Sequence, residues 1–303
     1  MFDYTLKPRT TSDPVLSPSS SAAVNRMTGR IPDAVPHRSF SQIKKYAACP
    51  LQWRLSREYE PAFTPAGLVF GSGFHAAVEA FYRARMAGRV TGLDELLNAF
   101  ALHWAKETSA GKPPVRFTAK LENADGMLDL AARMLAVFLA SVRSGEVVAV
   151  EEPFAVTIAP DLPSVVGRMD LVEVRQDDDG IHRLHLVDLK TATRRPTVDA
   201  LDADQLLLYA LAAEQAGWAE SLGLPLALRF DVVTKKATTP EFVCVPVTAT
   251  RHDSTRLVEK IRQIDHAMRS GVCYPAPSWA CASCGYTASQ CTEWPELPAV
   301  GAA

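Results

Sequence analysis

Asp170, Asp188 and Lys190 are the residues from which chemistry can be read. They lie in the stretch Val165 to Lys190, VVGRMDLVEVRQDDDGIHRLHLVDLK. Val165 to Val174 is rich in β-branched residues and His182 to Lys190 alternates polar and apolar, so both segments predict strands. Asp177-Asp178-Asp179-Gly180 between them is turn chemistry, with the glycine free to take a positive φ. A hairpin centred near Asp179 sets Asp170 opposite Asp188, and a slip of one residue makes the pair diagonal. Like charges facing across a strand pair repel, and a cation between them removes the repulsion. Clustered hard oxygen ligands select Mg²⁺ or Mn²⁺. Side chains two apart share a strand face, so Lys190 stands beside Asp188 and can hold or activate a water. Gly-x-x-Asp followed by Asp-x-Lys outlines metal-dependent hydrolysis, although a solvated hairpin face would carry the same residues.

The neighbouring segments must position that hairpin. Val147 to Ile158 predicts a strand interrupted by Glu151 and Glu152, either a strand-end charge or a carboxylate reaching the acidic pair. Ser39 or Ser41 can cap a helix from Gln42 that carries Ile43, Tyr46, Ala47 and Leu51, interrupted at Cys49-Pro50. Gly71 and Gly73 are expected to start a helix with His75 in its first turn and Ala77, Val78, Phe81 and Tyr82 as its apolar face. That histidine either packs and caps or ligates a metal. Helices follow over about 93–108 and 119–143, the second with Leu121, Leu128, Leu135, Phe138 and Val142 as core stripe. After Lys190 a basic loop offers Arg194 and Arg195 to phosphates. A helix over about 199–216 carries Gln205 and Tyr209 on one face and Leu206, Leu207, Ala210 and Leu211 on the other. Leu226 to Thr234 and Glu241 to Val247 predict an antiparallel pair, with Lys235-Lys236 in the turn, solvated or touching a backbone. An amphipathic helix over 250–270 uses Leu257, Ile261, Ile264 and Met268.

A second constellation lies near the C-terminus. Cys281-x-x-Cys284, followed after six residues by Cys291, has metal-ligand spacing. The fourth ligand would come from Cys49, Cys273 or Cys244, and zinc and an iron-sulfur cluster both fit. Trp53 and Trp279 lie nearby and suit core packing better than base stacking. The 303 residues are 48% hydrophobic, enough for a large core, and the net charge of -2 leaves any polyanion to local basic patches. Residues 1–37 read as a disordered tail rich in Pro, Ser, Thr and Arg. Met1 to Arg30 lacks the apolar run of a secretory leader and no stretch is apolar enough to span a bilayer, so a cytoplasmic protein with reduced cysteines is expected.

Taken in order, these residues resemble the PD-(D/E)XK nuclease superfamily in its RecB-like branch, over residues 38–295. The resemblance runs from Ser39-Phe40-Ser41 through Cys49-Pro50, Gly71-Ser-Gly-Phe-His75, Glu151 before Phe154, Gly167-Arg-Met-Asp170 and Asp188-Leu-Lys190-Thr191 to Gln205-x-x-x-Tyr209. It implies an α/β (α+β) restriction-endonuclease-like core. A central mixed sheet would be flanked by helices, with a helical N-terminal part, a cysteine-cluster segment and a short tail at 296–303. His75, Asp170 and Asp188 would ligate Mg²⁺ or Mn²⁺ with the Leu189 carbonyl assisting. Glu151 would join the catalytic carboxylates and Lys190 would position the attacking water. Gln205 and Tyr209 would line the DNA path, with Arg194 and Lys235 on the backbone.

In iron-sulfur members of the branch, the AddB-type and CRISPR-adaptation nucleases, one N-terminal and three C-terminal cysteines hold a [4Fe-4S] cluster. Cys49, Cys281, Cys284 and Cys291 match that pattern, with Zn²⁺ as the alternative, and Cys273 stands where relatives often carry an aromatic. The implied activity is sequence-tolerant DNA hydrolysis, exonucleolytic on single strands or ends, in recombination, repair or CRISPR adaptation. No GxxxxGK[ST] motif is present, so a helicase partner would be a separate chain. The rival readings are a non-catalytic DNA-binding or structural subunit of a repair or CRISPR complex and, more distantly, a hydrolase of small phosphoesters.

Overall fold

The computed structural model describes residues 37–117, 123–143, 145–197, 201–236 and 239–296. The expected tails, 1–37 and 296–303, lie almost wholly outside these residues, as does Leu121. Eight strands are described: β1 (His37–Ser39), β2 (Thr64–Pro65), β3 (Val115–Arg116), β4 (Glu146–Val156), β5 (Ser164–Gln176), β6 (His182–Ala192), β7 (Leu226–Thr234) and β8 (Phe242–Val247). The helices are α1 (Phe40–Ala48), α2 (Pro50–Glu58), α3 (Ala66–Met86), α4 (Leu93–Glu107), α5 (Ala124–Ser141), α6 (Asp204–Gln215), α7 (Trp218–Leu222) and α8 (Arg251–Arg269). Among the described residues no helix is long and apolar enough to cross a membrane.

The main sheet runs β1-β5-β6-β7-β8, with β4 on the other side of β5. It is mixed: β5 runs antiparallel to β4 and β6 and parallel to β1, while β6 and β7 are parallel and β8 antiparallel. One face packs α3, α4 and α5 through Phe70, Phe74, Phe100, Met134 and Phe138 against Val150, Leu171, Val187, Leu189 and Val233. The other packs α1, α6, α7 and α8 through Ile43, Leu206, Trp218, Leu257 and Ile261 against Val172, Leu186, Phe230 and Val245. This is the mixed sheet flanked by helices that the resemblance implies.

The β5–β6 hairpin has the register expected from a turn centred on Asp179, with Leu171 opposite Val187 and Glu173 opposite His185. Gly180 takes φ +79 in that turn. On the same edge β5 pairs β1 through Ser164–Val166 and β6 through Leu171–Gln176. Gly167, Arg168 and Met169 between these segments pair with β4 alone. The sheet therefore forks beside Asp170, where β5 has left one neighbour and not yet joined the next.

Three local expectations need correction. Gly71 and Gly73 do not start α3, which begins at Ala66 and carries both inside it, with His75 in mid-helix. A Cβ on Gly73 would lie 3.0 Å from the Phe100 ring, so close packing of α3 on α4 outweighs the cost of glycine in a helix. In α5 Leu128 faces outward, and Met127, Leu130, Ala131, Met134, Leu135 and Phe138 form the buried stripe. Cys49 does more than interrupt a helix. Its N–H closes α1 on the Lys45 carbonyl, and its sulfur caps α2 by accepting from Gln52 N at 3.4 Å, with Pro50 in the first turn of α2.

Candidate active site

Strand parity sends Asp170, Asp188 and Lys190 to the α6 side of the fork. Asp188 is 0% exposed and Asp170 is buried. The fork leaves the Leu189 N–H without a ladder partner on β5, and the Asp170 carboxylate takes it, Oδ2 accepting at 2.7 Å. Lys190 Nζ pairs with Asp188 Oδ2 at 2.5 Å, and both Asp188 oxygens are buried. Burial pushes the Asp170 carboxyl well above the usual range, and the facing Asp188 pushes it further. Burial likewise raises Asp188, against the pull of Lys190. Two buried carboxyls that repel one another form a site that a cation relieves.

Two more ligand types converge here. Glu151 stands opposite Asp170, between the pairs Val150–Leu171 and Glu152–Met169. It holds φ +50, a left-handed conformation that costs a residue with a side chain about 1–2 kcal/mol. His75 reaches in from α3, Nδ1 lying 3.7 Å from Asp170 Oδ2. Burial lowers its pKa to about 4, the Lys190 and Lys235 ammoniums act the same way, and the Leu189 carbonyl works against them. His75 is therefore neutral at neutral pH, the form that ligates metals. His75, Glu151 and Asp170 present ligand atoms that all lie within 4.8 Å of one another.

Lys190 is held from both sides. Beyond Asp188, its Nζ donates to Gln205 Oε1 at 3.3 Å, and Gln205 Nε2 donates to the Tyr209 hydroxyl at 2.8 Å. Tyr209 is 0% exposed, edge-on to Phe154, with its hydroxyl taken by Gln205, so it offers no surface to DNA, unlike the DNA-path position that the resemblance implies. Phe154 in turn lies over Gly167, where a Cβ would come within 2.6 Å of its ring. The glycine of Gly-x-x-Asp thus lets the ring that positions Tyr209 lie flat on β5.

The remaining expected residues separate. Arg194 is exposed in the loop after β6. Lys235 is not a solvated turn residue, because its Nζ donates to Gly67 O at 3.4 Å and lies over the Phe70 ring. Burial pushes its pKa down to about 8. Trp53 packs on Tyr46, whereas Trp279 is 89% exposed, contrary to the core packing expected for it. Three neighbours of the site were not foreseen. Glu79 acts on the Glu151 carboxyl, Arg168 donates to the Glu151 carbonyl at 3.4 Å, and Lys44 acts on Asp188. Glu79 follows His75 by one helical turn, a spacing that could have found it. Lys44 comes from a distant helix and leaves no local signal.

At the other end, the Cys291 thiol is raised by burial and by the neighbouring Cys49, Cys284 and Cys281 thiols. Cys49, Cys273, Cys284 and Cys291 pack against Leu51, Leu55 and Tyr286. Backbone N–H groups point at two of the sulfurs, Ala276 N at Cys49 and Ser278 N at Cys281. Cys244 is elsewhere, exposed on β8, its thiol beside Asp231.

A family model described as the PD-(D/E)XK nuclease superfamily matches residues 37–291. The chain belongs to that superfamily. Its members use divalent metals, and the carboxylate–histidine group in the fork has ligand types and spacing that could hold one. A curated relative, the Gene 69 protein of Mycobacterium phage D29, is 36% identical over 77 residues, 25% of this chain. The match spans 29% of that relative's length. Among solved structures, a putative exonuclease from Eubacterium rectale is 16% identical with a TM-score of 0.42, over 86% of this chain and 85% of that one.

Proposed function

We propose that this member of the superfamily is a DNA nuclease dependent on Mg²⁺ or Mn²⁺. Its cleavage would tolerate sequence and proceed from ends or along single strands. The observation that carries the reading is the convergence of Asp170, Asp188, Glu151 and a neutral His75 beside a lysine, in a fork of the sheet. The donor set fits a hard divalent ion, since Asp170 and Asp188 are buried carboxyls whose mutual repulsion such an ion relieves. His75, Glu151, Asp170 and Asp188, with the Leu189 carbonyl, would hold it. When bound, such an ion supplies Lewis acidity and a more acidic water.

The chain's own residues do the rest. The Leu189 N–H fixes the Asp170 carboxylate in place. The Lys190 ammonium, held by Asp188 and Gln205, orients the attacking water and offsets the negative charge that grows on the phosphate oxygens. Water adds to phosphorus, the opposite P–O ester bond breaks, and the leaving alkoxide takes up a proton. Phosphate contacts give affinity with little sequence information. Recombination, repair or CRISPR adaptation would supply such ends, with a helicase or integrase on a separate chain.

Cys49, Cys281, Cys284 and Cys291 would hold a [4Fe-4S] cluster, a reading supported by the action of the other three thiols on Cys291 and by N–H groups aimed at the Cys49 and Cys281 sulfurs. Iron, sulfide and zinc analysis of anaerobically purified protein separates this from a Zn²⁺ site.

The deciding experiment is degradation of end-labelled single- and double-stranded DNA with Mg²⁺ or Mn²⁺. Wild type is expected to cut, and Asp188→Ala and Lys190→Ala to lose on the order of 10²-fold or more in rate. A metal-loaded wild type that binds DNA and leaves every substrate intact overturns the enzyme in favour of a binding subunit.

A further inference from the structure

Lys190 is not the sole cation at the mouth of the fork. Lys235 follows directly on β7, and its N–H donates to Ala192 O at 2.6 Å. It therefore stands just past the same ends of β6 and β7 toward which Asp188 and Lys190 lie. The side chain turns back under α3, with Nζ 3.4 Å from Gly67 O and 5.0 Å from the centre of the Phe70 ring. The same helix carries His75 two turns further on, from which both lysine ammoniums repel a proton.

The two lysines differ in what balances them. Lys190 has Asp188 at 2.5 Å. Lys236, next in the chain, has Glu241 at 2.6 Å. Among the described residues no carboxylate lies within ion-pair distance of Lys235. A long hydrogen bond to one carbonyl and a ring face leave donors of the ammonium unspent in a partly desolvated position. A cation kept this way is stabilised when an anion arrives from outside. The anion that must pass this point is the phosphodiester backbone itself, which carries one charge at every linkage.

We propose that Lys235 grips a phosphate neighbouring the scissile one, so that the site takes a polynucleotide strand in preference to a single nucleotide. This deepens the nuclease reading and rests on it. Lys190, paired with Asp188, serves the reacting phosphate, while Lys235 brings a charge that no described carboxylate pairs. Gly67 and Phe70, on the first turns of α3, form the other wall against which that strand lies.

The test uses short single strands in which one linkage at a time is an uncharged methylphosphonate, given to wild type, Lys235→Met and Lys235→Arg. Methionine keeps the apolar stem against Phe70, and thermal melting verifies that each variant folds. Lys235→Met is expected to raise KM about tenfold, the worth of one charge-assisted hydrogen bond, with the loss falling on KM rather than kcat. Lys235→Arg restores most of it. One neutral linkage beside the cut should weaken wild type by the same factor and leave Lys235→Met indifferent. If every neutral linkage weakens both proteins equally, or KM does not move, the contact does not exist. The same set is read as binding by fluorescence anisotropy with Ca²⁺ in place of the catalytic ion. Loss of cleavage in wild type then counts against the nuclease reading alone, and loss of the linkage-specific coupling counts against Lys235 alone.

Discussion

Glu151 takes a conformation that glycine would take more cheaply, in the middle of a strand, φ +50 opposite Asp170. Its carboxyl is also raised by burial and by Glu79. Strain and desolvation held in one residue mark a position kept for its side chain. Glu151→Gly should therefore be more stable than Glu151→Ala by about 1 kcal/mol, with cleavage lost in both. Chemical denaturation of the two variants checks this, and equal midpoints would remove the strain argument. Tyr209→Phe takes away the acceptor that holds Gln205 on Lys190. We expect kcat to fall about tenfold with KM and melting temperature nearly unchanged, a magnitude in keeping with one positioning contact. Asp170, Asp188 and Lys190 were legible because hairpin register depends only on the turn centre, and Asp179-Gly180 announces it. The burial of Tyr209 was not legible. Helical spacing correctly put it on one face with Gln205, but which face turns inward depends on Phe154 and Gly167, on distant strands.

At the scale of elements, the β5–β6 hairpin also carries a buried polar group that the chemistry does not use. His185 is buried, with Asp177 3.1 Å from its Nε2. Asp177 favours the charged ring, but burial and then Arg229 prevail and lower the pKa from 6.5 to about 4. The folded value lies below the unfolded one, so the unfolded chain takes up the proton first as pH falls. The contribution is whole above pH 6.5 and drains away between there and about pH 4, at no more than about 1.4 kcal/mol per pH unit. His185→Gln should flatten this part of the stability curve, and an unaltered slope would assign it to other groups. The long strands β4 to β8 and most of the long helices were readable from period and turn residues, whereas the short strands β1, β2 and β3 were not. The start of α3 was not, since Gly71 and Gly73 look like a boundary and are inside a helix whose glycine at 73 admits the Phe100 ring.

For the whole molecule, the cysteine cluster joins the first helices to the last residues described. The Tyr46 hydroxyl donates to Val272 O, Leu51 N to Tyr274 O and the Tyr286 hydroxyl to Tyr59 O, all around the corner held by Cys49. A metal cluster held as proposed would link residues 49 and 291 and close a loop of about 240 residues, for which a cross-link is worth on the order of 5 kcal/mol. Cys291→Ser is thus expected to lower the melting temperature strongly. In Mg²⁺, DNA cleavage by whatever fraction stays folded should survive. A variant that melts with wild type would leave the cluster without a structural role. The cysteine spacing was legible in the sequence, while the hydrogen bonds that stitch residues 272–286 to α1 and α2 join positions far apart in the chain and leave no local pattern.

That stitching bears on the order in which the protein is made. On the ribosome α1 and α2 emerge long before the segment that secures them. At 5–20 residues per second the wait is on the order of ten to fifty seconds. Through that time Leu51 and Leu55, fully covered in the finished fold, have no Tyr286 to lie against. The nascent chain therefore carries Leu51 and Leu55 without that cover until the last of the described residues have been made.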